Sequence, residues 1–373
     1  MRLFRCRNCE QTVFFENNLC GNCGHALGYL APSQEMVTLV ANGDAYQRLN
    51  AEQNYRYCDN AAHQACNWLI PEESEDRFCT ACRHNKLIPD ISIAENLDQW
   101  QRMEAAKHRM FYTLIALDLP LRDYVEDPEH GLAFEFKPDP PEPGVRTLTG
   151  HDEGLITINL DEADDAIREK FRHEMGEPYR TLLGHFRHEV GHYFWDVLLR
   201  DGGDLEGFRA MFGDETRDYA EALQAHYQNG PPPDWALNYI SAYAASHPWE
   251  DFAESWAHYL HIIDTLETAS AFGLRIHPEG GKHRLLRAEI DFQPHKDVDF
   301  DQIIAAWLPL TVAVNSLNRS MGMNDLYPFT LAPPVIEKLG YIHRLVHHRT
   351  ERSNEIEDAQ ACAAPLEPQT QDE

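Results

Sequence analysis

Three histidines fall within eight residues of the stretch GHFRHEVGHYFWD, residues 184–196: His185, His188 and His192. On a helix, positions four apart share one face, so His188 and His192 can hold one cation between them. Glu189 then projects beside that cation, where a carboxylate can take a proton from a polarised water. The pattern His-Glu-x-x-His therefore offers hydrolytic chemistry, provided a third protein ligand exists and one coordination position stays open. Gly191 sits inside it at a cost of about 1 kcal/mol of helix propensity relative to alanine. Close approach of another backbone, or of the metal site itself, would explain a glycine there. With 20 histidines in the chain, five residues alone are weak ground, and the wider constellation has to decide.

The cysteines carry a second chemistry. Eight of the nine lie in the first 82 residues. Cys6-x2-Cys9 and Cys20-x2-Cys23 form two knuckles that place four thiolates around one tetrahedral ion, and CGNCGH supplies glycines for the sharp turns. EQTVFFENN between them reads as a strand and a turn, as in a zinc ribbon. A rubredoxin-like iron centre or disulfides are the competing readings. The second set, Cys58, Cys66, Cys79 and Cys82, is looser. It is expected to form a second four-cysteine site, with His63 available to replace one thiolate and a cross-braced exchange between the sets as the alternative. Four thiolates close a site, so both are expected to be structural and to stabilise a small core of short strands and loops. Cys362 stands alone and reads as an incidental thiol.

Other elements must position these groups. Residues 93–117 have apolar side chains at helical spacing, with Asn96 or Asp98 as a cap. The proline-rich KPDPPEPG, 137–144, separates that helix and the strand-like LAFEFK from the next element. RTLTGHDEGLITINL predicts a hairpin with HDEG as its turn and Leu155 to Leu160 as a strand, and DEADDAIREKFRHEM a helix with acidic residues at its start. Further helices are expected over 177–200, 205–212, 214–228 with Asp214 as cap, 235–246 and 249–267. A last helical region spans 300–347, interrupted by MGMNDLYPFTLAPP. The fold class is then α+β and predominantly α. Residues 1–92 are expected to form a small, metal-stabilised β ribbon region with two four-cysteine sites, 93–350 the main domain, and 351–373 a polar, acidic tail expected to be disordered.

The stretch SAYAASHPWEDFAESWAHYLH, 241–261, puts Pro248 in the first turn of a helix and Glu250 and Glu254 one turn apart on one face. Together with CRHNKLIPDIS, TGHDEGLITINLDEADDAIRE, EPYRTLLGHFRHEVGHYFWD and FGDETRDYAEALQAHY, it makes the chain from about 58 to 273 resemble the bacterial zinc-binding metallopeptidases that carry an N-terminal zinc-ribbon region. The resemblance implies a zincin-like core and hydrolysis of peptide bonds. Gluzincins take their third zinc ligand from a glutamate on a later helix. By that likeness Glu250 joins His188 and His192 on a catalytic zinc, Glu254 fixes the tautomer of a ligating histidine, and Glu189 is the general base. Asp251 competes with Glu250 if the helix register slips. Tyr243 precedes Glu250 at an offset where some toxin-type gluzincins carry a tyrosine that stabilises the oxyanion, and His247 is a second candidate. The strand Leu155 to Leu160 is the expected edge for an extended peptide substrate. His185, His258 and His261 read as structural or surface histidines.

Composition narrows the function classes. With 32 basic against 61 acidic side chains the formal charge is −29, which repels phosphate backbones and disfavours nucleic-acid partners. No run of eighteen apolar residues is present, so no membrane-spanning helix is expected. MRLFRCRNCE lacks a signal-type apolar stretch, and clustered thiols favour the cytoplasm. Three classes remain. The first is a soluble peptidase with three zinc ions, one catalytic and two structural, acting on a peptide or protein substrate. The second is a protein-interaction module whose ribbons bind a partner while a zincin scaffold stays silent. The third is a DNA-associated protease. Glu189 beside two ligands favours the first, and the charge opposes the third.

Overall fold

The first two strands are short because cysteine knuckles bound them, and between the two cysteine sets the chain is free to build a larger sheet. In the computed structural model, which describes residues 1–142, 144–175, 181–279, 284–296 and 298–362, β1 (Phe4–Arg5) pairs antiparallel with β2 (Thr12–Val13). A five-stranded antiparallel sheet comes next, in chain order: β3 (Ala26–Leu30), β4 (Glu35–Asn42), β5 (Ala45–Arg48), β6 (Asn54–Tyr57) and β7 (Leu69–Pro71). Alternation sends Leu30, Val37, Leu39, Tyr55 and Leu69 into a small cluster on one face. Leu27, Tyr29, Met36 and Trp68 join the main core on the other.

β8 (Asn85–Leu87) comes directly after Cys82 and its 3-10 turn and belongs to a different sheet. It pairs parallel with β9 (Ala133–Lys137), and the order is β10-β11-β9-β8 with β10 at Gly150–Asp152 and β11 at Leu155–Asn159. The strand expected at the edge, β11, is thus interior, since the parallel partner β9 covers its other side; β10 is the edge. Glu153 and Gly154 both have positive φ, 44° and 87°, the geometry of a two-residue hairpin turn. Glycine is also required at 154 because a Cβ would stand 2.5 Å from the carbonyl oxygen of His130.

Helices build most of the rest of the described residues. They are α1 (Ala94–Ala116), α2 (Asp165–Met175), α3 (Leu182–Trp195), α4 (Leu205–Phe212), α5 (Tyr219–Asn229), α6 (Pro248–Ala271), α7 (Phe300–Ser320) and α8 (Pro333–Cys362). A small pair, β12 (Arg275–Ile276) and β13 (Ala288–Glu289), lies between α6 and α7. Ile93, not Asn96 or Asp98, occupies the cap position of α1. Asp218 rather than Asp214 caps α5, and Asp214 instead binds the Thr216 N–H. The expected helix 235–246 is reduced to one 3-10 turn, Trp235–Leu237. Ser241 Oγ there accepts the Ala244 N–H at 3.0 Å, a local bond that competes with helix. At the C-terminus α8 runs on through residues 351–362, expected from sequence to be disordered; residues 363–373 lie outside the described residues, as do 176–180 before α3.

α3 and α6 form the centre of the core, with Phe194 stacked on Trp256 at 4.9 Å. Gly191 permits their approach, because a Cβ there would lie 3.0 Å from Ala253 Cα and 3.2 Å from Trp256 Cδ1. The main cluster of buried residues runs from Phe4 to Val346 and includes Cys6, Cys20, Cys58, Cys79 and Cys82, so the cysteine sets are built onto the helical core. Among the described residues α7 alone is long and apolar enough to cross a membrane by length and composition. It contains Pro309 and packs Ile303, Ile304, Ala306, Trp307 and Leu310 inward.

Candidate active site and metal centres

Thr181 starts α3 by accepting the Gly184 N–H, and the helix then presents His188 and His192 on one face with ring centroids 4.9 Å apart. His247 starts α6. Its Nδ1 accepts the Trp249 N–H at 3.1 Å and its Nε2 donates to the Arg217 carbonyl at 3.2 Å. Both nitrogens are thereby committed to backbone, which leaves this ring no donor for an oxyanion. Pro248 takes the first helical position, and Glu250 falls in the first turn, 1% exposed. Its Oε2 lies 3.0 Å from His188 Nε2 and 3.5 Å from His192 Nε2, yet has no hydrogen-bond partner among the described residues.

The protons on His188 decide what this cluster can hold. His188 Nδ1 is 2.8 Å from Glu254 Oε1. A carboxylate accepts, so Nδ1 carries the hydrogen, and in the neutral ring Nε2 turns a lone pair toward Glu250 Oε2. Two acceptors 3.0 Å apart repel unless a proton or a metal ion lies between them. Burial alone would lower the His188 pKa, but Glu250 and Glu254 together hold it well above the ordinary value. Glu250 is likewise held far below the carboxylate range, with the imidazoles of His192 and His188 overcoming its burial. Donor atoms of His188, His192 and Glu250 all lie within 4.8 Å of one another. Two neutral imidazoles and one carboxylate suit zinc and leave room for a fourth ligand.

Neighbouring side chains hold these donors in place. Ser241 Oγ donates to Glu254 Oε2 at 2.6 Å, and Tyr219 OH donates to Glu250 Oε1 at 2.6 Å. Asp251 turns away from the histidines, with Oδ2 2.6 Å from Lys338 Nζ; burial pushes its carboxyl up to about 7 against the pull of that lysine. Glu189 is buried, and burial raises its pKa against the attraction of His188, His192 and His185. The Tyr243 ring is 5.9 Å from that of His188, and its hydroxyl faces Tyr219. Trp249 packs on His192 at 3.7 Å, and His151, on the edge strand β10, lies 6.2 Å from the same ring. The other helical histidines have separate partners: Glu162 for His185, Tyr327 for His258 and Arg187 for His261.

The eight clustered cysteines are free thiols. Cys6, Cys9, Cys20 and Cys23 form one donor group and Cys58, Cys66, Cys79 and Cys82 another, each with its sulfurs within 4.8 Å. The sets are separate, not cross-braced. His63 is in neither; its ring packs 6.2 Å from Trp100. Without a cation, burial pushes the Cys66 and Cys82 thiols up, while hydrogen bonds from Cys66, Cys79 and Cys82 pull Cys58 down. Four full thiolates therefore need a metal to balance them. A further carboxylate–histidine group, Asp264, Glu267 and His295, is already ion-paired to Arg187 and Arg2.

Comparison with known proteins agrees with this donor chemistry. A family model described as "Putative zinc-binding metallo-peptidase" matches residues 96–345. The chain belongs to this metallopeptidase family. A zinc-ribbon domain model matches residues 3–93, so the ribbon of this metallopeptidase-family member spans all eight clustered cysteines. Proteins named as uncharacterized from Mycobacterium bovis and Mycobacterium tuberculosis are 41% identical to it over 347 residues, covering 93% of this chain and 95% of each relative. No solved structure matches. Sequence reasoning misses Tyr219, Ser241, His151 and Trp249 at this site. All four lie inside the family-resembling stretches, yet nothing in their spacing marks them as neighbours of the donors.

Proposed function

We propose that the protein is a zinc-dependent peptidase, with the ion held by His188, His192 and Glu250 and with Glu189 as general base. The observation that carries this reading is Glu250 Oε2, buried without a hydrogen bond between two imidazole nitrogens. When bound, zinc supplies a Lewis acid that acidifies water and polarises the scissile carbonyl. Glu189 takes the proton of the attacking water and returns it to the departing amine, and its raised pKa suits both transfers. Glu254, itself fixed by Ser241, keeps the His188 hydrogen on Nδ1, and Tyr219 keeps Glu250 from rotating. Tyr243 is assigned as the donor to the developing oxyanion. An extended peptide adds to the edge strand β10, which passes the site at His151. On this reading the core is zincin-like, the cysteine sets bind two structural zinc ions, and the reduced thiols suit the cytoplasm.

The test is cleavage of a proteome-derived peptide library by the full chain and by Glu189→Gln. The variant should keep three zinc ions per chain while turnover falls by roughly 10²–10⁴-fold. Equal turnover in the two proteins would remove Glu189 as the base. Absence of cleavage by the wild type, with all three ions bound, would leave the ribbon-borne interaction reading.

A further inference from the structure

Behind the second cysteine set lies a side chain that no knuckle spacing announces. His108, on the inward face of α1 and 4% exposed, directs Nε2 at three of the four sulfurs. It is 3.3 Å from Cys66 Sγ, 3.5 Å from Cys82 Sγ and 4.0 Å from Cys79 Sγ. Its Nδ1 lies 2.6 Å from the Glu104 carbonyl oxygen. A carbonyl only accepts, so Nδ1 carries the hydrogen, and once Nε2 is deprotonated it offers the sulfur triangle a lone pair. Trp68 stands edge-on to the ring at 5.1 Å and fixes its plane.

The dimensions are those of a ligand. Zinc bonds of about 2.3 Å to sulfur and about 2.0–2.1 Å to nitrogen give tetrahedral edges of about 3.8 Å between sulfurs and about 3.6 Å between nitrogen and sulfur. Cys66 and Cys79 are 3.7 Å apart, and the three nitrogen–sulfur distances bracket the second value. Nε2 therefore completes one tetrahedron on the Cys66–Cys79–Cys82 face, and Cys58 completes another. Cys58 keeps ordinary knuckle geometry, accepting the Cys79 N–H at 3.4 Å. Among the described residues the first centre has no equivalent, for His25 reaches a single sulfur, Cys23, at 3.4 Å.

Charge favours the histidine. Zinc with four thiolates carries two negative charges, and Glu104, fully buried, adds a third 3.6 Å from Cys82 Sγ. Lys107 opposes them, paired with Glu104 at 2.8 Å. Uncompensated buried charge is costly, and exchanging a thiolate for an imidazole removes one unit of it.

We propose that the second metal centre has five protein donors for four places: Cys66, Cys79 and Cys82 are constant, and Cys58 or His108 takes the fourth. The exchange is ligand substitution without oxidation. Cys58 leaves as a thiolate and takes a proton from solvent, while His108 enters through Nε2 and keeps its Nδ1 hydrogen. The proposal rests on reading this set as a metal centre, and it makes α1 part of that centre.

The experiment compares Cys58→Ala with Cys79→Ala in the full chain, by zinc content and by the absorption spectrum after cobalt substitution. Cys58→Ala should keep the second ion, with weaker thiolate-to-cobalt charge transfer and ligand-field bands moved to higher energy by the imidazole. Cys79→Ala, and Cys58→Ala combined with His108→Ala, should lose it. Loss from Cys58→Ala as complete as from Cys79→Ala overturns the proposal, and so does retention in the double variant. Should Cys58→Ala misfold, seen as loss of the first ion too, alkylation decides. Cys58 should react with iodoacetamide faster in the wild type than in His108→Ala, and equal rates overturn the exchange. A wild type that holds no ion at this set overturns the metal reading itself, and the proposal with it.

Discussion

The first cysteine centre and the His188–His192–Glu250 site gather donors for a cation from opposite distances in the chain. Cys6, Cys9, Cys20 and Cys23 arrive on two local knuckles, with Cys6 and Cys23 sulfurs 3.5 Å apart, and the strands beside them are only two residues long. His188 and Glu250 stand on separate helices, brought together by the packing of α3 on α6. The difference concerns what assembles what. A local four-sulfur site has little core of its own, so the ion assembles the fold. The helix-borne site is assembled by the core, which can then leave it short of one ligand.

The strongest way to break this comparison is to remove a donor from each. Cys20→Ser should release the first ion, whose apparent binding free energy in ribbon-like sites is on the order of 10 kcal/mol, and unfold β1, β2 and the knuckle beside β3. The ion at His188, His192 and Glu250 should stay. Mild chelation should do the reverse, stripping the latter ion with no loss of helical circular dichroism. Hydrogen exchange and zinc counting check both arms; unfolding of α3 and α6 on chelation would contradict a preformed site.

A smaller effect sharpens how the preformed site is held. Glu254→Ala removes the acceptor of the His188 Nδ1 hydrogen without touching a donor to the ion. Zinc affinity at this site should fall by about 10–100-fold, read by competition with a chelating dye, while the cysteine centres keep their ions. Unchanged affinity would mean that α3 alone orients His188.

The same division explains what is legible in the sequence. Cysteine pairs two residues apart, and histidines four apart on a helix, carry their geometry in their spacing. Glu250 does not; periodicity puts it one turn from Glu254, and only family resemblance places it opposite the histidines. Tyr219 opens α5, and Ser241 lies in a stretch with helical spacing that forms only one 3-10 turn, so periodicity aims neither side chain at the donors. The hairpin is readable from Glu153-Gly154, but which strand forms the edge depends on β9, whose parallel partner begins 22 residues later, from Ala133 to Leu155. His108 lies 26 residues beyond Cys82 on a helix that reads simply as amphipathic.

Acid should separate the two kinds of site through α6. His258 is buried against Tyr327, with Nδ1 2.8 Å from the hydroxyl. Burial lowers its pKa to about 4 despite the attraction of Glu254. The unfolded chain, with a histidine near 6.5, binds the proton more readily than the native one. This contribution is therefore complete above pH 6.5 and is lost as pH falls from there to about 4, a difference of about 3 kcal/mol. His258→Gln should flatten the acid limb of thermal stability in that window, and an unchanged limb would show that other groups carry it.

The mildest change tests the helix approach itself. Gly191→Ala gains about 1 kcal/mol of helix propensity, so in an exposed helix it would stabilise. Here the new methyl meets Ala253 Cα at 3.0 Å and the Ala253 carbonyl oxygen at 3.3 Å. Both are backbone atoms that cannot rotate aside, and such overpacking costs about 1–3 kcal/mol. The steric cost should equal or exceed the gain, leaving the variant destabilised by at most about 2 kcal/mol. Because relief must come from α3 moving off α6, the same shift widens the gap between His192 and Glu250. Zinc affinity should therefore fall more than stability does, with the cysteine centres unaffected. A stabilised variant with full affinity would mean that the two helices have slack, and that Gly191 is not what sets their distance.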